Sequence, residues 1–541
     1  MSHDFVIVGA GAAGCVLANR LSEDPQTRVL LIEAGGSDDR LFIRMPLGFL
    51  RAFRDPTLTW GYVSEPEPQL NGRVLPIPRG RVLGGSSSIN GMFFMRGHSG
   101  DFDGWRDAGA TGWGYADVLP YFKKLEDSWR GAVPYHGAGG PMPVAPIDGR
   151  KLLHEPLMRT AAPAGWWTND DIHSRLEEGF ARGEITVDAR GRRANSARAY
   201  LHPVRHRPNL EVVQGAVVRR VLVKNGRAVG VELRQGNEVR TIAAQREVIL
   251  CGGTFNSPQL LLLSGIGAAA QLKQHAIRCR VDLPGVGENL SEHVRAGLQF
   301  ATREPVSFLR ELRGDRVAWS FLRWWLFGSG VFATQISSCN VVIRTQPELP
   351  QPDIQLMCNP VRMDAKVWWP LVSAKQVHLI TADAVVLHPR SRGRVTLRSG
   401  DPAAKPRIFY NSLAQAEDLA TLRRGLRAAR HIYATAPQSD LIEREVAPGP
   451  DVRSDAELDA YIRATAGVTQ HPVGTCSMAA GPGQVVDAQL RVRGVDGLRV
   501  VDASVMPTVP GGNTYGAVLM IAERAADLIR GRALPPQRET P

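Results

Sequence analysis

A glycine-rich turn between a buried strand and a helix is the first feature of the chain that could do chemistry. Phe5–Val8 is a continuous apolar run, as in a fully buried parallel strand, and Gly9–Gly14 follows it at once. Val16, Leu17 and Leu21 then continue with helical spacing. In this G-x-G-x-x-G pattern, the glycines permit a tight turn and let a pyrophosphate approach the backbone closely. The free N–H groups at the start of the helix then point toward the pyrophosphate. The turn therefore predicts dinucleotide binding.

An acidic residue after the next predicted strand completes this pattern. The strand runs from Arg28 to Ile32, and Glu33 follows it, 19 residues after Gly14. A carboxylate at this place accepts hydrogen bonds from ribose hydroxyls and disfavours a 2′-phosphate. We therefore expect a bound FAD or NAD. The residues predicted to contact it are Gly9, Gly11, Ala12, Ala13, Gly14, Glu33 and Ala34.

Composition and charge exclude several classes of protein. The chain has 541 residues, of which 43% are hydrophobic and 22% charged. These proportions are those of an ordinary globular protein and exclude disorder, collagen and coiled coil. The net charge is +12, but the basic residues are scattered and form no run of five or six. Nucleic-acid binding is therefore not expected.

The spacing of the cysteines and the lengths of the apolar runs indicate in which cellular compartment the protein lies. The six cysteines lie far apart without a C-x-x-C pair, which predicts neither a zinc site nor a disulfide framework. No metal site is predicted. The amino terminus lacks the pattern of a secretory signal, and the longest weakly charged apolar run, Val317 to Ala333, is interrupted by Arg323. The expectation is a soluble, cytoplasmic protein without membrane contact.

The rest of the chain alternates strands, helices and loops without repeats. Residues 210–213, 217–223 and 228–233 predict short alternating strands, and 247–250 predicts a buried strand. Near the carboxyl end, Leu498 to Val501 predicts a strand, and a helix is predicted to begin near Thr514. Its apolar positions lie on one helical face: Val518, Ile521, Ala522, Ala525 and Ile529. The first and last segments together indicate a discontinuous nucleotide-binding unit of α/β class.

Five further blocks carry a family resemblance. Two are long signatures, Gly80–Gly91 and Gly253–Gly267; the shorter ones are Pro284–Leu290, Gln470–Cys476 and Val501–Thr514. In this order they resemble the glucose–methanol–choline (GMC) family of FAD oxidoreductases, in particular its bacterial choline, sorbose and polyethylene glycol dehydrogenase-like members. The resemblance implies a Rossmann-like α/β FAD-binding domain (α+β overall) with a substrate domain of sheet and helices.

The resemblance also implies how FAD is held. A loop of glycine and serine, Gly84 to Ser88, has no bulky side chains, so its backbone can lie flat against a flavin; the alternative is a flexible surface loop. Some family members bond the flavin covalently through a histidine, and Ile89 stands at that place here, which implies non-covalent FAD. Val218 is implied to contact the cofactor; the alternative is that it is an ordinary valine of a buried strand. The cofactor residues implied are Gly84, Gly85, Ser86, Asn90, Gly91, Met92, Val218, Asp502, Ala503, Asn513 and Thr514.

The implied catalytic pair is His471 and Asn513. Oxidation of an alcohol needs the hydroxyl proton removed while the α-hydrogen leaves as hydride toward flavin N5. An imidazole with an ordinary pKa near 6.5 can take that proton at neutral pH. The Asn513 amide can donate a hydrogen bond to the same oxygen. His98 and His293 have no comparable support, and His388 is interpreted as structural.

The resemblance also implies a division into two domains, but it does not identify the substrate. The FAD-binding domain is predicted to comprise residues 1–150, 205–300 and 465–541, and the substrate-binding domain residues 150–205 and 300–465. Tryptophans at 166–167, 319–325 and 368–369 fall in the second domain, where they predict either an apolar pocket for a hydrophobic alcohol or core packing and an oligomer face.

The leading hypothesis is a GMC-type FAD-dependent alcohol dehydrogenase or oxidase. It converts a small primary alcohol to the aldehyde with His471 as general base, and oxygen or a quinone-like acceptor reoxidises the flavin. The alternative is an FAD-containing lyase on the same fold, of the hydroxynitrile lyase kind. The sequence leaves open which alcohol is used, which acceptor serves and what the oligomeric state is.

Overall fold

The computed structural model describes residues 2–174, 176–374, 376–481 and 483–537. The α-helices are α1 Ala12–Leu21, α2 Leu41–Arg44, α3 Phe49–Ala52, α4 Ser99–Asp107, α5 Tyr115–Leu125, α6 His154–Thr160, α7 Gly253–Leu263, α8 Ala269–Gln274, α9 Gly314–Phe327, α10 Ala416–Tyr433, α11 Asp455–Thr465 and α12 Tyr515–Ile529. The strands are β1 His3–Val8, β2 Val29–Ile32, β3 Tyr62–Val63, β4 Pro76–Ile77, β5 Glu126–Ser128, β6 Met142–Pro146, β7 Thr168–Asn169, β8 Gly179–Ala181, β9 Glu184–Ile185, β10 Leu210–Val213, β11 Ala216–Lys224, β12 Arg227–Gln235, β13 Glu238–Leu250, β14 Ile266–Gly267, β15 Val281–Asp282, β16 Val294–Thr302, β17 Cys339–Ile343, β18 Ile354–Asn359, β19 Leu379–Val386, β20 Arg394–Thr396, β21 Arg407–Phe409, β22 Ile442–Ala447, β23 Gly467–Val468 and β24 Leu498–Val500.

The first large sheet is mainly parallel and begins with the predicted glycine-turn strand. Its order is β10-β2-β1-β13-β12-β11, and β24 pairs with β13. Strands β10, β2, β1, β13 and β24 run parallel, whereas β11 and β12 join as an antiparallel meander. Parallel strands buried on both faces read as continuous apolar runs, which is why Phe5–Val8 was recognisable from the sequence.

Strand β13 is much longer than the sequence predicts. The predicted strand covered 247–250, but β13 starts at Glu238 and its first part pairs with β12 before its last part pairs with β1. That first part is mostly exposed and polar, so it carries no continuous apolar signal. One strand thus joins the parallel layer to the meander.

The carboxyl-terminal helix α12 closes this layer against α1. The predicted apolar positions Val518, Ile521, Ala522 and Ala525 are buried, but burial extends round the helix to Asp527. The buried carboxylates in it are paired: Glu523 accepts from Arg20 at 2.7 Å and lies 3.1 Å from Lys124, and Asp527 lies 2.9 Å from Lys124. Pairing is what permits charge in a buried helix.

The second large sheet forms the roof over the site and is mostly antiparallel. Its order is β22-β16-β19-β18-β17-β8-β7, and β23 pairs with β16. Helix α10 packs across one face, on residues such as Ile354 and Ala384, which alternate along their strands with residues of the opposite face. The opposite face is turned toward the functional cavity described below.

The predicted tryptophan clusters do not form a substrate pocket. Trp324 is buried, whereas Trp319, Trp325 and Trp369 are 66%, 57% and 52% exposed. None of the clustered tryptophans lines the cavity formed by the described residues. Across the described ranges, no helix has both the length and the apolarity needed to cross a bilayer.

Two glycines of the first turn meet different surroundings, and this allows a test. A Cβ at Gly14 would lie 1.9 Å from the carbonyl oxygen of Gly9, whereas a Cβ at Gly11 would have its nearest neighbour at 3.9 Å. We expect Gly14→Ala to lower the free energy of unfolding of the apoprotein by about 1–3 kcal/mol, because backbone must shift. The matched Gly11→Ala should leave it within about 0.5 kcal/mol and reduce retained FAD. Urea unfolding of the apoproteins and FAD content per chain measure both; equal destabilisation would contradict this assignment.

Candidate active site

A cavity of about 890 Å³ is lined by residues of both large sheets and their loops. Its wall includes the glycine turn, Glu33, His471 and Asn513. All the predicted site residues except Gly14 and Gly84 line this one cavity. The fold therefore brings together segments that are up to about 500 residues apart in the chain.

Two glycine loops pack backbone to backbone at the floor of the cavity. Gly85 has a φ of +55°, and a Cβ there would lie 2.7 Å from Gly11 Cα. Behind it, the Gly84 N–H donates to the Ala10 carbonyl at 2.8 Å. Gly14 and Gly84 thus lie behind the cavity wall, where they set the shape of the loops that line it.

Glu33 closes the glycine turn from the end of β2. Its Oε2 accepts from the Ala10 N–H at 2.9 Å, and its Oε1 accepts from the Gly35 N–H at 2.8 Å. Glu33 is 6% exposed, and this burial raises the pKa of its carboxyl to about 7. A carboxylate oxygen has two lone pairs, so each oxygen keeps acceptor capacity for ribose hydroxyls at the cavity surface.

The loop of the implied cofactor residues Asn90 to Met92 is held by a buried arginine that sequence analysis missed. Arg193 donates to the Asn90 side-chain oxygen at 2.8 Å and to the Asn90 carbonyl at 2.7 Å. The Asn90 oxygen also accepts from the Met92 N–H at 3.1 Å, where Met92 has a φ of +63°. Nothing in the sequence distinguishes Arg193 from the other arginines, because its burial is a tertiary property.

The residues present fit FAD. Open space beside Gly11, where a Cβ would have its nearest protein neighbour at 3.9 Å, leaves room for a pyrophosphate. The N-terminus of α1 faces the cavity, and buried Asn513 Oδ1 has no partner among the described residues. Ile89 is 2% exposed and carries no atom able to bond covalently to a flavin. Asp502 at the end of β24 accepts from the Gly253 N–H at 2.9 Å and from Ser257 Oγ at 2.6 Å, which ties the start of α7 to the site.

His471 stands in a chain of hydrogen bonds that fixes its tautomer. His293 Nε2 lies 3.0 Å from the Leu387 carbonyl oxygen, which can only accept, so Nε2 carries the proton. Burial lowers the pKa of His293 well below its usual range, so that ring is neutral and its Nδ1 accepts. His471 Nδ1, 3.0 Å away, must therefore donate. The lone pair of His471 is consequently on Nε2.

Asn513 faces that lone pair. Its Nδ2 lies 3.1 Å from His471 Nε2, the arrangement expected when the amide N–H donates to an unprotonated ring nitrogen. The preceding loop is anchored because the Gly511 N–H donates to Asp101 Oδ2 at 2.6 Å, and His388 lies 2.8 Å from Asp101 Oδ1. His388, interpreted from sequence as structural, thus supports the loop that carries Asn513.

Electrostatics keep His471 unprotonated. Desolvation, with a smaller contribution from the Arg79 guanidinium, lowers the pKa of His471 to about 3. Its backbone N–H donates to Glu292 Oε1 at 2.7 Å, and burial raises the pKa of Glu292 to about 8. Thr469 Oγ1, 2.9 Å from His471 Nδ1, offers a second acceptor for the ring proton. Sequence analysis missed His293 and Glu292, although their position directly after the Pro284–Leu290 block was a usable signal.

Comparisons with known proteins decide the family. The amino-terminal part of the GMC oxidoreductase family matches residues 3–295, and its carboxyl-terminal part matches residues 389–522. The chain belongs to the GMC oxidoreductase family. The chain is 41% identical over 537 residues to an oxygen-dependent choline dehydrogenase of Rhizobium rhizogenes and 42% identical over 536 residues to that of Brucella canis, covering 98% of this chain and 96% of each relative.

Solved structures agree with this membership. Pyridoxine 4-oxidase from Mesorbium loti has a TM-score of 0.88 at 32% identity, covering 98% of this chain and 100% of that one. A formate oxidase variant from Aspergillus oryzae has a TM-score of 0.90 at 28% identity, covering 98% of both chains. The GMC fold, FAD as cofactor and FAD-dependent oxidation of an alcohol, all expected from the sequence, are confirmed. Nothing in these comparisons supports the lyase alternative.

The hydrogen-bond chain predicts a role for His293 that FAD content will not reveal. Removing the acceptor of the His471 Nδ1–H lets the proton move to Nε2, so we expect His293→Ala to slow anaerobic flavin reduction about 10- to 100-fold. His293→Gln, whose amide oxygen can accept, should recover part of the rate. The exposed His206→Ala serves as a matched control. Stopped-flow absorbance measures the rates; a normal rate in His293→Ala with intact FAD would contradict the assigned tautomer.

The low pKa of His471 predicts the pH dependence. Its base form is present above a pKa of about 3, so between pH 5 and pH 7 its protonation state does not change. We expect the anaerobic rate of flavin reduction in wild type to stay within about twofold over this range. A rate that rises about tenfold per pH unit below pH 6.5, as for an ordinary histidine, would show that His471 titrates normally.

Proposed function

We propose that this GMC oxidoreductase oxidises a primary alcohol to its aldehyde with His471 as the general base and Asn513 as the group that orients the alcohol. The observation that carries the proposal is the unprotonated His471 Nε2, 3.1 Å from the Asn513 amide nitrogen, in the same cavity as the dinucleotide turn. FAD, when bound, supplies the acceptor for the hydride, which carries both electrons of the oxidation. The remaining chemistry belongs to the protein.

The proposed task of His471 is to take the hydroxyl proton. An alcohol oxygen that enters between His471 and Asn513 would donate to Nε2 and accept from Nδ2 of the amide. Both contacts favour the alkoxide character that develops as the proton leaves. Nδ1 keeps its own proton because His293 and Thr469 accept from it, so the ring cannot turn to present an N–H instead.

The depressed pKa of His471 would couple proton uptake to the reaction. Desolvation disfavours an isolated imidazolium, so the ring holds a second proton only while negative charge faces it. A developing alkoxide is such a charge. The general base is thus kept free of a competing solvent proton before substrate arrives.

The electron acceptor and the domain division are also proposed. The relatives named oxygen-dependent choline dehydrogenase and pyridoxine 4-oxidase favour oxygen as the acceptor, with a quinone-like acceptor as the alternative. The parallel sheet lies within residues 1–150, 205–300 and 465–541, which supports these as the FAD-binding domain. Most of the antiparallel sheet falls in 150–205 and 300–465, which supports a substrate-binding domain there.

The proposal is tested by His471→Ala. The FAD site and Asn513 remain, so FAD content should persist, but the proton must then leave to water. Positioned general bases contribute about 10²–10⁴-fold, so we expect anaerobic flavin reduction by a primary alcohol to slow at least about 100-fold. Rapid-mixing absorbance at the flavin band measures this rate.

A second variant sharpens the result. Asn513→Ala should slow the same half-reaction, and because both groups act on one oxygen, the losses in the double variant should be smaller than their sum in free energy. If the His471→Ala protein keeps its FAD and the alcohol reduces that FAD at the wild-type rate, the proposed mechanism is wrong. An alcohol panel assayed with oxygen and with an artificial dye in parallel identifies the acceptor.

A further inference from the structure

One roof strand carries a charged side chain into the cavity beside the catalytic pair. His293 precedes β16, and Arg295 is its second residue. Residues two apart on a strand point to the same face and lie about 6.6 Å apart. Arg295 thus faces the cavity on the same side as His293, whose ring contacts His471, and it lines the cavity wall.

The neighbouring strand shows that this face is built to present polar groups. On β19, Ala382 and Ala384 are buried on the side of α10, whereas Asp383 between them lines the cavity. Arg295 Nη1 donates to Asp383 Oδ1 at 2.8 Å. A Cβ at Gly297 would lie 2.1 Å from that same oxygen, so the absence of a side chain there admits the Asp383 carboxylate.

Arg295 keeps donors for a ligand. A guanidinium has five N–H groups, and within the described part of the chain Asp383 is the only residue to which the Arg295 side chain hydrogen-bonds. The side chain is 39% exposed, and Gly467, which pairs with it from β23, leaves open space beside it. Planar N–H forks of this kind match a carboxylate in two parallel hydrogen bonds.

The surrounding wall is cationic. Arg73 donates to the Ala464 carbonyl at 2.6 Å, Arg79 to the Gln470 carbonyl at 2.8 Å, and Lys405 to a backbone carbonyl at 2.8 Å. Their acceptors are uncharged, and among the described residues none of the three forms a salt bridge with a carboxylate. Within the described residues their positive charge is therefore not neutralised by a salt bridge, and Glu292 interacts with Arg79 only electrostatically, without a direct contact.

The carboxylates of the cavity are already engaged. Asp383 accepts from Arg295, Glu33 holds the glycine turn, and Asp502 holds the start of α7. In the described wall, a quaternary ammonium group would therefore meet more guanidinium groups than carboxylates, and each of those carboxylates already accepts a hydrogen bond from the protein. Like charges in a confined, poorly hydrated site repel, whereas an anion is attracted and steered inward.

We propose that the substrate is a short alcohol bearing a carboxylate, with the carboxylate on Arg295 and the hydroxyl between His471 and Asn513. The inference rests on the proposed function and adds the substrate class to it. It differs from the substrate in the name of the choline dehydrogenase relatives, which is a cation. Arg295 would act as the specificity-determining residue.

Three alcohols of matched length test which substrate charge the cavity prefers. Choline, 3,3-dimethylbutan-1-ol and 3-hydroxypropanoate present a cation, a neutral group and an anion on the same two-carbon alcohol. We expect kcat/KM of wild-type holoenzyme to be highest for 3-hydroxypropanoate and lowest for choline, with roughly 10- to 100-fold between anion and neutral alcohol, because charged hydrogen bonds to a carboxylate are strong.

Variants of Arg295 test whether this side chain causes the preference for the anionic alcohol. Arg295→Gln should reduce the ratio of kcat/KM for 3-hydroxypropanoate over 3,3-dimethylbutan-1-ol by about 10-fold or more, and Arg295→Lys should reduce it less. Asp383→Asn, which releases the guanidinium, should raise the ratio. The exposed Arg205→Gln is the matched control and should not alter it. Calorimetry with propanoate, which lacks the hydroxyl, measures anion binding without turnover.

The outcomes separate the inference from the proposed function. If no alcohol reduces the flavin, the proposed function fails, while propanoate binding that weakens at least about 10-fold in Arg295→Gln would still support the anion site. If alcohols reduce the flavin but choline is preferred, or the ratio and propanoate binding are the same in Arg295→Gln and wild type, the inference is overturned and the function stands.

Discussion

A neutral, enclosed imidazole with one fixed tautomer is the constraint on which the rest of the site depends. His471 can accept a proton at Nε2 only because its Nδ1–H already has an acceptor in His293, which in turn donates to Leu387. The antiparallel register of β16 and β19, in which Arg295 faces Val385, brings the residue before β16 opposite the residue after β19. Sheet register thus sets the protonation pattern of His471 and of its contact with Asn513.

The cofactor cradle depends on backbone contact rather than on side-chain chemistry. Gly85 lies against Gly11, and carboxylates hold the adjoining turns by accepting backbone N–H groups, as Glu33 does from Ala10 and Asp502 from Gly253. Such carboxylates serve two purposes, because they satisfy buried donors that would otherwise be costly and they keep charge near the cofactor site. We therefore expect changes at Gly85, Glu33 or Asp502 to alter folding and cofactor binding together.

Family membership fixes the cofactor and the reaction class, while the cavity wall decides the substrate. The similar proteins carry names that refer to choline, pyridoxine and formate, so one fold serves chemically different donors. In this chain the roof places Arg295 two residues from His293, and further cations such as Arg73 and Arg79 line the same cavity. We infer that the charge of the wall, rather than overall similarity, discriminates among alcohols.

The sequence by itself determined the elements whose signal is local. Glycine spacing, apolar runs and family blocks are contiguous in the chain. They therefore predicted the β1 to α1 turn, Glu33, the fold class, FAD and the site residues that line the cavity. The tertiary structure alone decided which distant residues meet. His293, Arg193 and Arg295 gain their roles from burial and strand pairing. Neither the low pKa of His471 nor the exposure of Trp319, Trp325 and Trp369 has a sequence signature. Desolvation and charge proximity depend on neighbours in space, which a linear pattern does not contain.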